Sequence, residues 1–290
     1  MVSAGINSDT LFGDRTDVSL LGIVRGRGMF WDDAERVSEK ALIDGQLMPI
    51  TTEAEVIQEH GINYLGYVVT RNARKKPIAK NQQANPFLPY EPSMYVGEAG
   101  YHHICLLNKF PVLSPHLLIC SKEFVAQSAP LTLDDFEAWL LGFTRSDVLG
   151  LYNSGPVAGA SQPHRHMQVV RADIPLESVI CTGGLPFRHC LFLHDELDAE
   201  RLYQRYLTAL ELLSLNEDDE CLPYNILLTA RWMLVLPRST NNIEGIFANA
   251  LNYTGRFLVR EAKQLKWLQR YGIMRYLSEC SVIYRLEGSR

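Results

Sequence analysis

The period of hydrophobic and polar positions changes several times along this 290-residue chain, and each change predicts an element. DDAERVSEKALIDG (Asp32 to Gly45) has a capping acid, helical spacing and a glycine stop, which predicts a helix. NYLGYVVT (Asn63 to Thr70) is rich in β-branched and aromatic residues and predicts a strand. KKPIAKNQQANPFLPYEP (Lys75 to Pro92) marks an irregular loop, of a length uncommon in a compact domain unless it serves a function. YHHICLLN and PHLLICSKEF flank NKFPVLSP and predict adjacent strands joined by a proline-containing turn. PLTLDDFEAWLLGFTRS predicts a helix with Thr132 as N-cap and Asp135 three residues on, a capping-box pattern. GLYNSGPVAGASQP reads as a glycine-rich approach to HRHMQVVRADIP, which alternates like a strand. LDAERLYQRYLTALELLSL (Leu197 to Leu215) is a second amphipathic helix, capped by Asp198. YNILLTARWMLVLPRS (Tyr224 to Ser239) has the length of two short strands around a polar middle at Thr229 to Arg231, and Gly255 to Cys280 reads as helical.

Strands adjacent in sequence and joined by short turns predict an antiparallel sheet with helices packed on one face, an α+β architecture. Composition narrows the class. With 47% hydrophobic and 21% charged residues the chain reads as an ordinary globular protein. No apolar run reaches the roughly 18 residues of a membrane span. The first 25 residues lack the apolar core of a signal peptide, so the expected location is cytoplasmic. Six cysteines without a C-x-x-C, most inside apolar runs, read as free buried thiols rather than a disulfide framework or a zinc site. A formal net charge of −5 excludes a nucleic-acid-coating surface. A small polyanion remains compatible, since local cations occur in RNARKK (Arg71 to Lys76), at Lys80 and Lys109, and at Arg231 and Arg238.

The stretch GASQPHRHMQVV (Gly159 to Val170) carries the candidate chemistry. On a strand, His164, His166 and Gln168 share one face, about 6.5–7 Å apart, while Arg165, Met167 and Val169 share the other. Three readings use that geometry. A metal site needs three or four ligands, and glutamine is a poor one. A structural strand would hydrogen-bond its histidines locally. A nucleophile needs an imidazole with one nitrogen free and the other held by a hydrogen bond. Ser161, Gln162 and Gln168 add polar donors, and the turn Gly155 to Ala160 can aim backbone N–H groups inward. Together these features describe a phosphate-handling site.

GASQPHRHMQ resembles the active-site signature of the diadenosine-tetraphosphate phosphorylases, or ATP adenylyltransferases. These are a transferase branch of the histidine-triad (HIT-like) superfamily in which glutamine replaces the third histidine. NPFLPYEPSMYV, CLLNKFPVLSPHLLICSKEF, LYNSGPVAGASQPHRHMQVV and YNILLTARWMLVLPRS resemble family blocks in the family's order, from about Gly61 to Gly272. The resemblance implies a HIT-like sheet elaborated by an N-terminal extension and a C-terminal α/β segment. It divides the chain into 1–172, carrying the motif, and 173–290, sharing one sheet and core with the first. It implies His166 as nucleophile on the α-phosphorus, Gln168 as hydrogen-bond donor to a non-bridging oxygen, and His164 and His116 as supports. Asn153, Gly159, Ala160, Ser161 and Gln162 would hold the phosphates, and Asn108 and Lys109 would contact the nucleotide. Lys75 or Lys76 would reach the polyphosphate, with Asn225, Thr229 and Arg231 as further substrate contacts.

The implied reaction is diadenosine tetraphosphate plus phosphate giving ATP plus ADP, reversibly, through a nucleotidylyl-histidine. The expected partners are these nucleotides and phosphate, with no nucleic acid and no membrane, and nothing demands more than a monomer. No obligatory cofactor is expected, Mg²⁺ entering only with the nucleotide. The competing readings are a sugar-1-phosphate nucleotidyltransferase or dinucleoside-polyphosphate hydrolase of the same superfamily, and a non-catalytic nucleotide-binding module.

Overall fold

The computed structural model describes residues 29–70, 87–217 and 220–283. Helix α1 (Met29–Ile43) starts three residues before the predicted cap, so Asp32 lies in its first turn. The hairpin β1 (Thr52–Glu59) and β2 (Ile62–Val69) follows. β1 escapes the hydrophobic pattern because Ile57 is its only buried residue. Next come β3 (Tyr95–Glu98), β4 (His103–Leu107), β5 (His116–Ser121), α2 (Leu133–Leu140), β6 (Val148–Asn153) and β7 (His166–Arg171). The chain continues through α3 (Glu177–Cys181), β8 (Cys190–Leu193), α4 (Ala199–Leu212), β9 (Asn216–Glu217), β10 (Glu220–Cys221), β11 (Tyr224–Leu228) and β12 (Trp232–Pro237). It ends with the short pair β13 (Asn242–Ile243) and β14 (Ile246–Phe247), β15 (Arg256–Val259), α5 (Ala262–Tyr271) and α6 (Ile273–Glu279).

Local signals placed several elements correctly. Thr132 accepts from the Asp135 N–H while the Asp135 side chain accepts from the Thr132 N–H, a complete capping box. Asp198 caps α4 by accepting from the Arg201 N–H. Two segments differ from expectation. Val148–Asn153 is a strand rather than the start of a glycine-rich loop, and all six of its residues are buried. A strand buried on both faces shows no alternation, and its glycine answers packing: a Cβ at Gly150 would stand 2.8 Å from the rings of Phe143 and Trp139. The tail is not wholly helical either. Arg256–Val259 runs parallel to β2 before the helices begin, burying Phe257 and Val259.

Eight strands form one sheet in the order β3-β4-β5-β7-β6-β11-β12-β8, and each neighbouring pair is antiparallel. Helices α1, α2 and α4 cover one face through Trp31, Phe136, Trp139 and Tyr206, packed on Met167, Val169, Ile226 and Val235. The opposite face is covered in two patches. Phe87 with Ile104, Leu106, Leu118 and Cys120 forms a small cluster over β4 and β5. Beyond β7, Leu149, Leu151, Leu227 and Leu234 pack against Tyr64, Phe257, Leu265 and Tyr276 of the second sheet and the last two helices. The strand carrying His166 and Gln168 therefore runs along the seam between the two patches.

On the helix face the same strand entry buries a charge. Arg165 is 2% exposed and donates to the Asp135 carboxylate at 2.7 Å and to the carbonyls of Ala129 and Pro130. His103 donates to the other carboxylate oxygen at 2.8 Å. Burial alone would raise the Asp135 pKa, but the His103 hydrogen bond, the Arg165 charge and the Thr132 N–H outweigh it and hold the carboxyl below its ordinary range. Removing one partner of a buried ion pair strands the other. Asp135→Asn is expected to destabilise the protein by about 3–5 kcal/mol, read as a lower urea midpoint with an unchanged slope.

Candidate active site

His166 opens β7 opposite Cys120 of β5, and Gln168 faces Leu118 on one side and Leu151 on the other. The strand begins at His166, so His164 lies just before it, in an isolated bridge with Ala126. Both imidazoles still meet one ring: the Phe87 centroid stands 5.6 Å from His164 and 5.2 Å from His166. His166 Nδ1–H donates to the carbonyl of His164 at 2.8 Å. That bond fixes the tautomer and leaves Nε2 with a free lone pair. Nε2 has no hydrogen bond among the described residues and is not fully enclosed. Burial lowers the His166 pKa to about 4, with the His164 carbonyl opposing the shift in part, so the ring is neutral at physiological pH.

His164 donates from Nε2 to the Ser121 carbonyl at 2.7 Å, while its own backbone carbonyl accepts from His166. Its Nδ1 is buried without a partner among the described residues, between the Phe87 and Phe124 rings. His116 lies on β5 with Nε2 2.9 Å from Gln168 Oε1 and Nδ1 3.2 Å from Asn108 Nδ2. Burial lowers its pKa also to about 4, against the Gln168 hydrogen bond.

Gln127, which no motif announces, completes the backbone hydrogen bonding around His166. It accepts from the His166 N–H at 2.8 Å and donates to the carbonyls of Asn153 and His166 at 2.7 and 3.2 Å. An amide side chain thus takes the place of strand pairing where β6 and β7 part. It is 2% exposed. In sequence it is one glutamine in FVAQSAP, joined to His166 only by the fold.

The other predicted residues divide. Asn153 stands one strand from His166; its Oδ1 accepts from Asn225 and from the Ala250 N–H, and its Nδ2 is unbonded among the described residues. Asn225 is fully committed, donating to the Tyr152 and Ala158 carbonyls as well and accepting from buried Arg238, so it braces the loop. The turn Gly155 to Ala160 closes on itself: Ala158 and Ala160 donate to Gly155 and Gly159 donates to Pro156. Gly159 and Ala160 therefore offer no free N–H, because the 3-10 turn uses those donors. Gly159 instead permits close approach, since a Cβ there would lie 2.5 Å from that of Asn249. Ser161 and Gln162 make no hydrogen bond among the described residues and remain open to a ligand. Lys109 pairs with Glu91 at 3.1 Å on the surface.

Thr229 and Arg231 are not brought to this site. Thr229 caps the β11–β12 turn, and Arg231 pairs with Glu177 at 2.6 Å in solvent. Asn225 pairs with Asn153 of β6, and Thr229 is four residues further, about 13 Å along the strand. Lys75 and Lys76 lie outside the described residues.

The fold and this strand define an α+β protein whose antiparallel sheet presents an imidazole–glutamine pair at the seam between two covering patches. The comparisons specify it further: residues 23–188 match the Ap4A phosphorylase N-terminal domain and residues 183–283 the ATP adenylyltransferase C-terminal domain. The chain belongs to the Ap4A phosphorylase family. It is 30% identical over 205 residues to diadenosine tetraphosphate phosphorylase 2 of Saccharomyces cerevisiae, covering 56% of this chain and 63% of that protein. The match thus spans less than two thirds of that relative. Protein APA1 of the same yeast is 29% identical over 223 residues, covering 63% and 68% of the two chains. The crystal structure of yeast Ap4A phosphorylase Apa2 in complex with Ap4A superposes with a TM-score of 0.76 at 23% identity, covering 89% of this chain and 98% of that one. Its complex with AMP gives 0.75 at 24% identity, with 90% and 98% covered.

Gln127→Leu removes three hydrogen bonds to buried backbone. Each buried polar group left unpaired costs about 1–3 kcal/mol, so a loss of roughly 3 kcal/mol is expected in thermal melts. Any nucleotidyl transfer to His166 should fall on the order of a hundredfold for a shift of about 1 Å at Nε2.

Proposed function

We propose that this protein is a nucleotidyltransferase that cleaves diadenosine tetraphosphate with inorganic phosphate to ATP and ADP through His166. The observation that carries the reading is the pairing of an unprotonated His166 Nε2, its Nδ1–H held by the His164 carbonyl, with a Gln168 amide on the same strand face. The family membership supports the substrate class.

In the first half-reaction His166 Nε2 attacks the α-phosphorus, a P–N bond forms, and the bond to the bridging oxygen breaks. ATP leaves as a polyphosphate anion that needs little protonation. The imidazole gains positive charge, which the His164 carbonyl stabilises through Nδ1–H. Gln168, Ser161 and Gln162 supply neutral donors to phosphate oxygens, and Asn153 Nδ2 borders them. Lys109 supplies a cation at the rim, with Lys75 or Lys76 as the expected second. In the second half-reaction phosphate attacks the same phosphorus, the P–N bond breaks, and ADP forms. No resident cofactor enters this scheme; Mg²⁺ arrives with the polyphosphate. The chain acts as a monomer in the cytoplasm. Among the described residues no helix is long and apolar enough to cross a membrane.

Incubation with α-labelled diadenosine tetraphosphate, without phosphate, should leave label on the protein, and His166→Ala should abolish it. Added phosphate should chase the label into ADP. Equal product formation without phosphate, as AMP, would make the protein a hydrolase and end this reading.

The pH dependence follows from the neutral nucleophile. Protonation occupies Nε2, so labelling should stay level from pH 8 down to about 5 and fall as pH drops through about 4. A decline centred on 6.5, the value of an ordinary histidine, would contradict the buried setting. Stability has the same sign: between 6.5 and 4 the unfolded chain binds protons that folded His116 and His166 do not, so the melting temperature should fall with pH there.

A further inference from the structure

From this site we infer that Asn108 is a positioning residue, which sets the tautomer of His116 and through it aims the Gln168 amide hydrogens at the substrate phosphate. The inference rests on the reading of Gln168 as a phosphate donor, and it takes Asn108 out of direct contact with the nucleotide.

Four groups form a chain whose direction is forced from one end. The Phe110 N–H donates to Asn108 Oδ1 at 3.1 Å. A backbone N–H can only donate, so the amide oxygen of Asn108 faces Phe110 and its NH₂ faces His116. Asn108 Nδ2 then donates to His116 Nδ1 at 3.2 Å, which requires a bare Nδ1. The single proton of neutral His116 sits on Nε2 and donates to Gln168 Oε1 at 2.9 Å. With its oxygen taken, Gln168 turns its NH₂ away from His116, on the strand face it shares with His166. The Gln168 NH₂ has no partner among the described residues.

The anchor is rigid. Asn108 N–H donates to the His116 carbonyl at 2.8 Å, which closes the loop between β4 and β5. The carbonyls of Lys109 and Pro111 accept from Met48 and Ile50, which ties that loop to the segment entering β1. An amide has no charge to lose, so its error mode is a half-turn that presents oxygen to phosphate oxygen. A flip at Gln168 would set its NH₂ against His116 Nε2–H, two donors facing each other, unless His116 changed tautomer, and that change would oppose His116 Nδ1–H to the Asn108 NH₂.

Asn108→Asp tests the chain because a carboxylate accepts from both neighbours. It would draw the His116 proton to Nδ1, leave Nε2 bare and invite Gln168 to flip. The expected result is a fall in kcat of about a hundredfold, the size of a lost oxyanion donor, with KM for diadenosine tetraphosphate within about threefold. In a Gln168→Ala background the same substitution should change kcat less than about twofold, since the amide it acts through is gone. An equal loss in that background, or a raised KM with kcat kept, would overturn the inference in favour of direct contact. Histidine ¹⁵N NMR of the unaltered protein gives a readout independent of turnover, with the His116 signals assigned by their loss in His116→Gln. Protonated Nε2 and bare Nδ1 are expected, and the opposite tautomer overturns the chain even if the variants fail to fold. If the tautomer is as expected but no label reaches His166, the proposed function fails while the hydrogen-bond chain stands.

Discussion

Arg165 fixes the geometry on which the site depends. It lies between two histidines, and alternation sends its side chain into the helix-covered core while theirs face the seam. A guanidinium cannot shed its proton, so the core must supply acceptors. Asp135 does so from the first turn of α2, where the capping box holds its other contacts, and the carbonyls of Ala129 and Pro130 take the remaining N–H groups that bond. The network joins β4, β7, α2 and the 126–130 loop. Gln127 comes from that same loop and reaches His166. One buried charge therefore sets both the depth of the strand entry and the place of the residue that holds the His166 backbone.

What the sequence makes legible is local. Thr132 and Asp135 are three residues apart, Asp198 begins its own helix, and His166 and Gln168 share a face because strands alternate. These relations need no knowledge of the rest of the chain. Gln127, by contrast, lies 39 residues from His166, and Asp135 lies 30 from Arg165; neither spacing carries a signal. β6 escapes because burial on both faces erases the pattern that identifies a half-buried strand. Arg231 shows the converse error. A cation in a block of the right chemistry looks available to a polyanion, yet its strand carries it to the far end of the hairpin, where Glu177 meets it.

A fold with a single covered face would leave His166 either in the core or in open water. Here the second face is covered by two separate patches, and β7 runs between them. The arrangement buries the imidazole enough to hold it neutral while leaving Nε2 unenclosed. Both matched family segments are needed for this. Residues 23–188 contain the strand, whereas most of the buried side chains of the inner patch, from β11, β12, β15 and the last two helices with their connecting loops, lie within 183–283.

The distribution of charge is in keeping with the proposed reaction on a polyanion. The atoms at the seam belong to neutral groups, namely the amides of Gln168 and Asn153 and the lowered-pKa imidazoles of His116, His164 and His166. Among the described residues formal charges lie elsewhere: Arg165 and Asp135 behind the sheet, Arg238 beneath the loop, Lys109 at the surface. A cation beside Nε2 would attract phosphate, but it would also lower the electron density that attack requires and hold the product nucleotide. Neutral donors can follow phosphate oxygens through the change at phosphorus without that penalty. In the proposed reaction, attraction then falls to charge outside the seam and bond-making to an uncharged interior. The separation follows from one feature of the strand: its alternation places the guanidinium behind and the imidazoles in front.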